Sequence, residues 1–136
     1  MKLQNRDILI LFETIRVVDR ELPKLPAKVT YANDKNTSAL VNAYNAVNKA
    51  RTKLIEKYGI KDEKSPVGYK LNDDNITLAF KDDKSKEAFE SEFKPILDES
   101  VEIDLYTISI DYFDNVEIDK EKIPSIGVYY KWLVVD

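Results

Sequence analysis

The chain has 136 residues, 43% hydrophobic and 34% charged, with only 3 Gly and 5 Pro, a balance that fits one globular domain over residues 1–136 and excludes a disordered or low-complexity chain. It contains no histidine and no cysteine, which removes imidazole acid–base work, thiol nucleophiles and the usual zinc ligands. The net charge of −4 is uneven: residues 1–97 carry 18 Lys/Arg against 15 Asp/Glu, and residues 98–136 carry 3 against 10.

The first helix is signalled by Asn5 as N-cap and Asp7 in the first turn. Ile8, Leu11, Phe12, Ile15 and Val18 recur at helical spacing to about Arg20. Leu9, Ile10 and Val17 widen that stripe, so the helix needs cover on more than one side. Leu22-Pro23-Lys24-Leu25-Pro26 ends it, because proline cannot continue a helix. A longer helix starts between Ala27 and Ser38 and runs to Tyr58, with Gly59 at the C′ position. Its residues Leu40, Tyr44, Val47, Arg51, Leu54 and Tyr58 alternate steps of four and three, an a/d seam with one cationic interruption. The two helices read as a hairpin over residues 1–59.

After a charged linker, residues 60–66, the period changes to two. Residues 67–71 and 76–80 read as strands joined by the turn-forming Asn72-Asp73-Asp74-Asn75. Asp82 or Asp83 caps a third helix, which turns Ala88, Phe89, Phe93, Ile96 and Leu97 inward and is expected to kink or stop early at Pro95. A long strand is expected over residues 101–112, with a parity switch between Leu105 and Tyr106 that calls for a bulge or a change of buried face. Val116 and Ile118 read as its continuation. The last thirteen residues are ambiguous. Pro124 suits a helix start and Ile126, Tyr130 and Leu133 have helical spacing, yet Val128-Tyr129-Tyr130 and residues 132–135 are strand formers.

The fold class that follows is α+β: an N-terminal helical hairpin packed on a small, mostly antiparallel sheet in residues 60–136, with one further helix. The apolar excess of the first helix and the seam Leu40, Tyr44, Val47, Arg51, Leu54 suggest a homodimer formed through the helices. The polar residues 1–7, the short apolar run at residues 8–12 and the lack of any span-length apolar stretch make the expectation a cytoplasmic chain that does not engage a membrane.

No catalytic motif is present: neither P-loop, G-x-G-x-x-G, G-x-S-x-G nor S-x-x-K stands in a suitable context. Glycoside hydrolysis needs two acids flanking a cleft, but carboxylate pairs occur in any acidic protein, so they carry almost no specific signal. The acidic run from Asp111 to Asp119 lacks EF-hand spacing and its glycine, so no metal or other cofactor is assigned. Asn42, Asn45 and Asn48 form a polar stripe that reads as a solvated face. The partner-binding candidates are the eight acids between Asp98 and Asp119, a stretch without Lys or Arg: Asp98, Glu99, Glu102, Asp104, Asp111, Asp114, Glu117 and Asp119. Such charge disfavours direct nucleic-acid binding and suits a basic protein surface. Tyr129, Tyr130 and Trp132 are the candidate exposed aromatic anchor.

Lys2-Leu3-Gln4-Asn5-Arg6-Asp7-Ile8, the Leu22-Pro23 linker and the segment Ala50-Arg51-Thr52-Lys53-Leu54-Ile55-Glu56-Lys57-Tyr58-Gly59 resemble a family of small, uncharacterised phage and prophage proteins of Gram-positive bacteria, whose genes commonly lie among tail, baseplate and lysis genes. The resemblance spans residues 2–59. It implies a viral, non-enzymatic protein made in the host bacterial cytoplasm, tail-associated and incorporated into the virion, and assigns no binding residues. The alternative is an inhibitor of a host enzyme or defence nuclease that binds through the acidic C-terminal half.

Overall fold

The first apolar stripe forms α1 (Asn5–Glu21), which buries Ile8, Leu11, Phe12, Ile15 and Val18. The structure, a computed structural model, describes all of residues 1–136. The N-cap position of α1 is Gln4, with no side-chain cap bond, and Asn5 is the first helical residue and buried. Leu22 closes the helix by donating its N–H to the Val18 carbonyl at 3.0 Å. The element order is β1 (Lys2–Gln4), α1, α2 (Ala27–Tyr58), α3 (Asp83–Asp98), β2 (Ser100–Glu102), β3 (Ile108–Ser109), a 3-10 helix (Ile110–Phe113), α4 (Ile126–Leu133) and β4 (Val134–Val135). The fold is α+β, and the N-terminal helices pack together. No helix is long and apolar enough to cross a membrane.

The chain forms two compact units, Met1–Asn45 with Ser100–Asp136, and Ala46–Glu99. The division falls inside α2 rather than after Gly59. In place of one sheet there are two separate strand pairs: β1 with β2, antiparallel with Leu3 opposite Val101, and β3 with β4, parallel with Ile108 opposite Val134.

In the first unit, α1, the N-terminal part of α2 and α4 enclose a core of Leu3, Ile8, Leu11, Ile15, Val18, Val29, Leu40, Ile108, Ile123, Tyr129 and Leu133. Phe12 stacks on Tyr44 with ring centroids 4.0 Å apart, and the Tyr44 hydroxyl donates to Glu13. The long strand expected over residues 101–112 does not form. Its middle leaves the ladder because the Asn36 side-chain amide takes both backbone groups of Tyr106: the Tyr106 N–H donates to Asn36 Oδ1 at 2.7 Å, and Asn36 Nδ2 donates to the Tyr106 carbonyl at 2.8 Å. The parity switch therefore marks the chain leaving one strand pair and entering another. Val116 and Ile118 do not extend a sheet either; the Val116 N–H turns back to the Phe113 carbonyl. Both readings of the tail hold in part, a helix over Ile126–Leu133 followed by a two-residue strand.

In the second unit, the expected strands around residues 67–80 appear as single antiparallel bridges, Lys61 with Tyr69, Leu71 with Leu78, and Gly59 with Phe80. The turn between them is as expected. Asn75 adopts φ 57°, and the Asp74 carboxylate accepts from the Ile76 and Thr77 N–H groups. Asp82 caps α3 by accepting from the Ser85 N–H at 2.7 Å. Pro95 does not stop this helix, which runs to Asp98, because the hydrogen bond it forfeits belongs to the last turn. Phe89 and Phe93 of α3 pack with tilted rings, and Phe80 lies against Phe89 with centroids 5.3 Å apart, but no α3 residue is fully buried.

Along the α2 seam, Leu40, Val47 and Leu54 are buried, Tyr44 is half-buried and Arg51 is exposed. The apolar positions of the seam are thus covered by the chain itself.

Candidate functional site

Backward from Leu40, the inward face of α2 continues through Asn36, Asn33, Ala32 and Val29, all with 0% exposure. Two asparagines therefore occupy core positions, and each must find partners there. Asn36 holds the Tyr106 backbone. Asn33 accepts from the Tyr129 hydroxyl at 2.6 Å and donates Nδ2 to Asp19 at 2.7 Å. This three-residue chain joins α4, α2 and α1. Burial pushes the Tyr129 phenol well above the usual tyrosine range, with a smaller push from the Asp19 charge. Asp19 is exposed overall, yet its carboxyl is raised, first by desolvation against the packed helices and then by the Asp34 charge, with the Asn33 bond opposing. The phenol, the amide and the solvent-reaching carboxylate form a structural bridge.

This placement corrects the aromatic anchor. Tyr129 has 0% exposure and sits among Phe113 and Tyr130, with ring centroids 6.1 and 6.3 Å away. Tyr130 and Trp132 are half-buried against the same core. The exposed aromatic surface lies elsewhere, at Tyr31 and Tyr112. Tyr31 meets Tyr106 edge-on at 5.8 Å. Lys28 donates to the Tyr106 hydroxyl, which raises the lysine's pKa, and Lys35 lies 5.6 Å over the Tyr31 ring. Aromatic composition in the sequence did not distinguish these rings from buried ones. The usable signal was helical spacing: Ile126, Tyr129 and Leu133 share a face.

The candidate acids divide between the two units. Asp98 and Glu99 belong to the second, where Asp98 pairs with Lys94 at 2.8 Å. Glu102 pairs with the terminal ammonium, which holds its carboxyl below the usual range. The remainder, Asp104, Asp111, Asp114, Glu117 and Asp119, are exposed and form no ion pair, and neither does the neighbouring Glu121. They stand between buried anchors, Ile103, Ile108, Phe113 and Ile123. Two clefts open along this segment of the first unit. One of about 270 Å³ is lined by Glu21, Leu22, Glu117, Ile118, Asp119 and Lys122, and one of about 360 Å³ by Leu22, Pro23, Leu25 and Val116 with Glu21 and Glu117. The second is mainly apolar, the first more polar, and in both the acids outnumber the lysines. No group of three or more acidic side chains gathers into a metal-holding cluster.

No family model matches this chain, and no curated protein or solved structure shows significant similarity to it.

Proposed function

We propose that this protein works by protein–protein contact rather than catalysis, as a tail-associated assembly accessory of a phage particle, and that it docks a basic partner surface on its acidic face. The observation that carries the docking surface is the set Asp104, Asp111, Asp114, Glu117, Asp119 and Glu121, all exposed and all without an ion-pair partner. Exposed charge of one sign steers a partner of the other sign and sets its orientation. The apolar floors beside Leu22, Leu25 and Val116 add surface that excludes water on contact. The phage context rests on the resemblance of residues 2–59.

The same face favours a second reading, an inhibitor that occupies a basic groove of a host enzyme or defence nuclease. The two separate by experiment. An assembly protein remains with purified virions and, captured by a tag from infected cells, brings phage tail proteins at moderate salt. An inhibitor is absent from virions, brings one host enzyme, and releases it as salt rises. In either case, neutralising Asp111, Asp114, Glu117 and Asp119 together to Asn or Gln weakens capture. Unchanged capture by that variant refutes the acidic face.

A further inference from the structure

The second unit carries a surface of opposite character. A groove of about 360 Å³ lies between one face of α2 (Asn48, Arg51, Thr52, Ile55) and the turn-linked segments bearing Val67, Tyr69, Leu71, Ile76 and Leu78. That volume falls in the range of ligand pockets, about 300–1,000 Å³. Its walls are mainly aliphatic, and they are displayed rather than buried: Ile76 is 82% exposed and Val67 60%. Ile76 is also held in place. Its N–H and both donors of Thr77 bond to the Asp74 carboxylate, and the Leu71–Leu78 bridge closes the base of the turn. A turn whose backbone is already held loses little backbone entropy when something covers its Ile76 side chain.

The polar lining says what that occupant carries. Arg51 is the only charged residue in the groove and makes no ion pair. No carboxylate lines the walls. We propose that this groove binds a short segment of a partner protein that carries aliphatic side chains next to a carboxylate, with the aliphatic groups against Ile55, Val67, Ile76 and Leu78 and the carboxylate on Arg51. Arg suits this role because its planar fork matches a carboxylate with two parallel hydrogen bonds. A second copy of this chain is a poor occupant, since a two-fold contact centred on the groove would set Arg51 against its own copy and the groove offers no carboxylate to pair it. The proposal is independent of the acidic face, which lies in the other unit and attracts the opposite charge.

The test uses the full-length protein and two fluorescein-labelled octapeptides, one alternating leucine and glutamate, the other leucine and lysine. The expected result is that the glutamate peptide raises anisotropy and shifts the amide resonances of Ile55, Tyr69 and Ile76, while the lysine peptide does neither. Arg51→Glu should weaken binding roughly tenfold, and Ile76→Ser roughly threefold, as charge and apolar contributions at a partly exposed site do. Both positions are exposed, so both variants fold, which circular dichroism verifies. The proposal is overturned if neither peptide binds, if both bind alike, or if Arg51→Glu leaves affinity unchanged. It is also overturned if those resonances shift with protein concentration alone, because the occupant is then a second copy.

Discussion

Tyr129→Phe tests the buried bridge with one atom. The ring remains, so its packing against Phe113 and Tyr130 is kept. What is lost is the 2.6 Å bond to Asn33 Oδ1, and that oxygen then has no donor in a site where both residues have 0% exposure. Leaving a buried acceptor unsatisfied costs about 1–3 kcal/mol, and with water excluded we take about 2 kcal/mol. For a chain of this size, that corresponds to a fall in Tm of roughly 6–10 °C. Trp132, the only tryptophan, lies three residues away on α4, so its fluorescence reports unfolding of this unit. A thermal melt followed at Trp132 is therefore the assay. Asn33→Leu leaves the Tyr129 hydroxyl without its acceptor and frees Asp19 to solvent. The double variant should then lose less than the sum of the two single losses, because neither partner is left orphaned. A Tyr129→Phe melt within about 1 °C of the parent, or strict additivity in the double variant, would refute the bridge.

Three further outcomes follow from the same geometry. Asn36→Asp keeps an acceptor for the Tyr106 N–H but cannot donate to its carbonyl, so it should destabilise the first unit by about 1–3 kcal/mol in urea titrations; a neutral result would mean the amide does not hold Tyr106. Alanine at the three glycines should give three different answers in thermal melts. At Gly59 a Cβ would lie 2.6 Å from the Ile55 carbonyl oxygen, a loss of about 1–3 kcal/mol; at Gly68 only the φ of +80° resists, about 1 kcal/mol; and at Gly127, open space in a helix predicts a gain of about 0.5–1 kcal/mol. The cap and the bridge respond to pH with opposite signs. The Ser85 N–H holds the Asp82 carboxyl below its usual range, so the cap's contribution is full above the ordinary carboxylate pKa and vanishes as pH falls through the lowered value. The raised Asp19 carboxyl contributes in the other direction, gaining as pH falls through its own raised value. The helical circular-dichroism deficit of Asp82→Ala should therefore close on acidification; a deficit that persists at low pH would contradict the cap.

Elements set by local chemistry were legible in the sequence. The α1 stripe, the end of α2 at Tyr58, the Asn72–Asn75 turn and the Asp82 cap all depend on residues within four positions of one another. What escaped depends on distant partners. Asn33 and Asn36 are polar and so do not stand out as core residues, yet they continue the Leu40 seam at steps of three and four, and extending that seam toward Val29 would have placed them in the core. Their partners lie 96 and 70 residues away, and no local pattern marks that. The same cause hid the break in the expected strand, because alternation over residues 101–112 is real while the ladder it implies has lost the Tyr106 backbone groups to Asn36. Gly59 was recognised as a helix terminus for the wrong reason: its need is close approach to Ile55 and Tyr69, with no positive φ involved.

These corrections bear on how the acidic segment is presented. Had residues 101–112 formed one strand, their acids would simply have been the solvent face of a sheet. Instead the chain is tied down at Ile103, at Tyr106 by Asn36, at Ile108 by β4, at Phe113 against Tyr129 and Tyr130, and at Ile123. The acids lie between such anchors, Asp104 before Tyr106, Asp111 in the 3-10 helix, and Asp114, Glu117, Asp119 and Glu121 between Phe113 and Ile123, where Asp119 accepts from the Glu121 N–H. Anchoring on both sides holds the backbone that carries these exposed carboxylates without giving them ion-pair partners. A basic surface that meets them pays little ordering entropy, so affinity there depends on the anchors as well as on the charges. Tyr129→Phe and Asn36→Asp change no exposed charge, yet both should weaken partner capture by loosening the segment. If capture survives both variants while the charge-neutralised variant loses it, the acids act as a diffuse field and the anchoring serves stability alone.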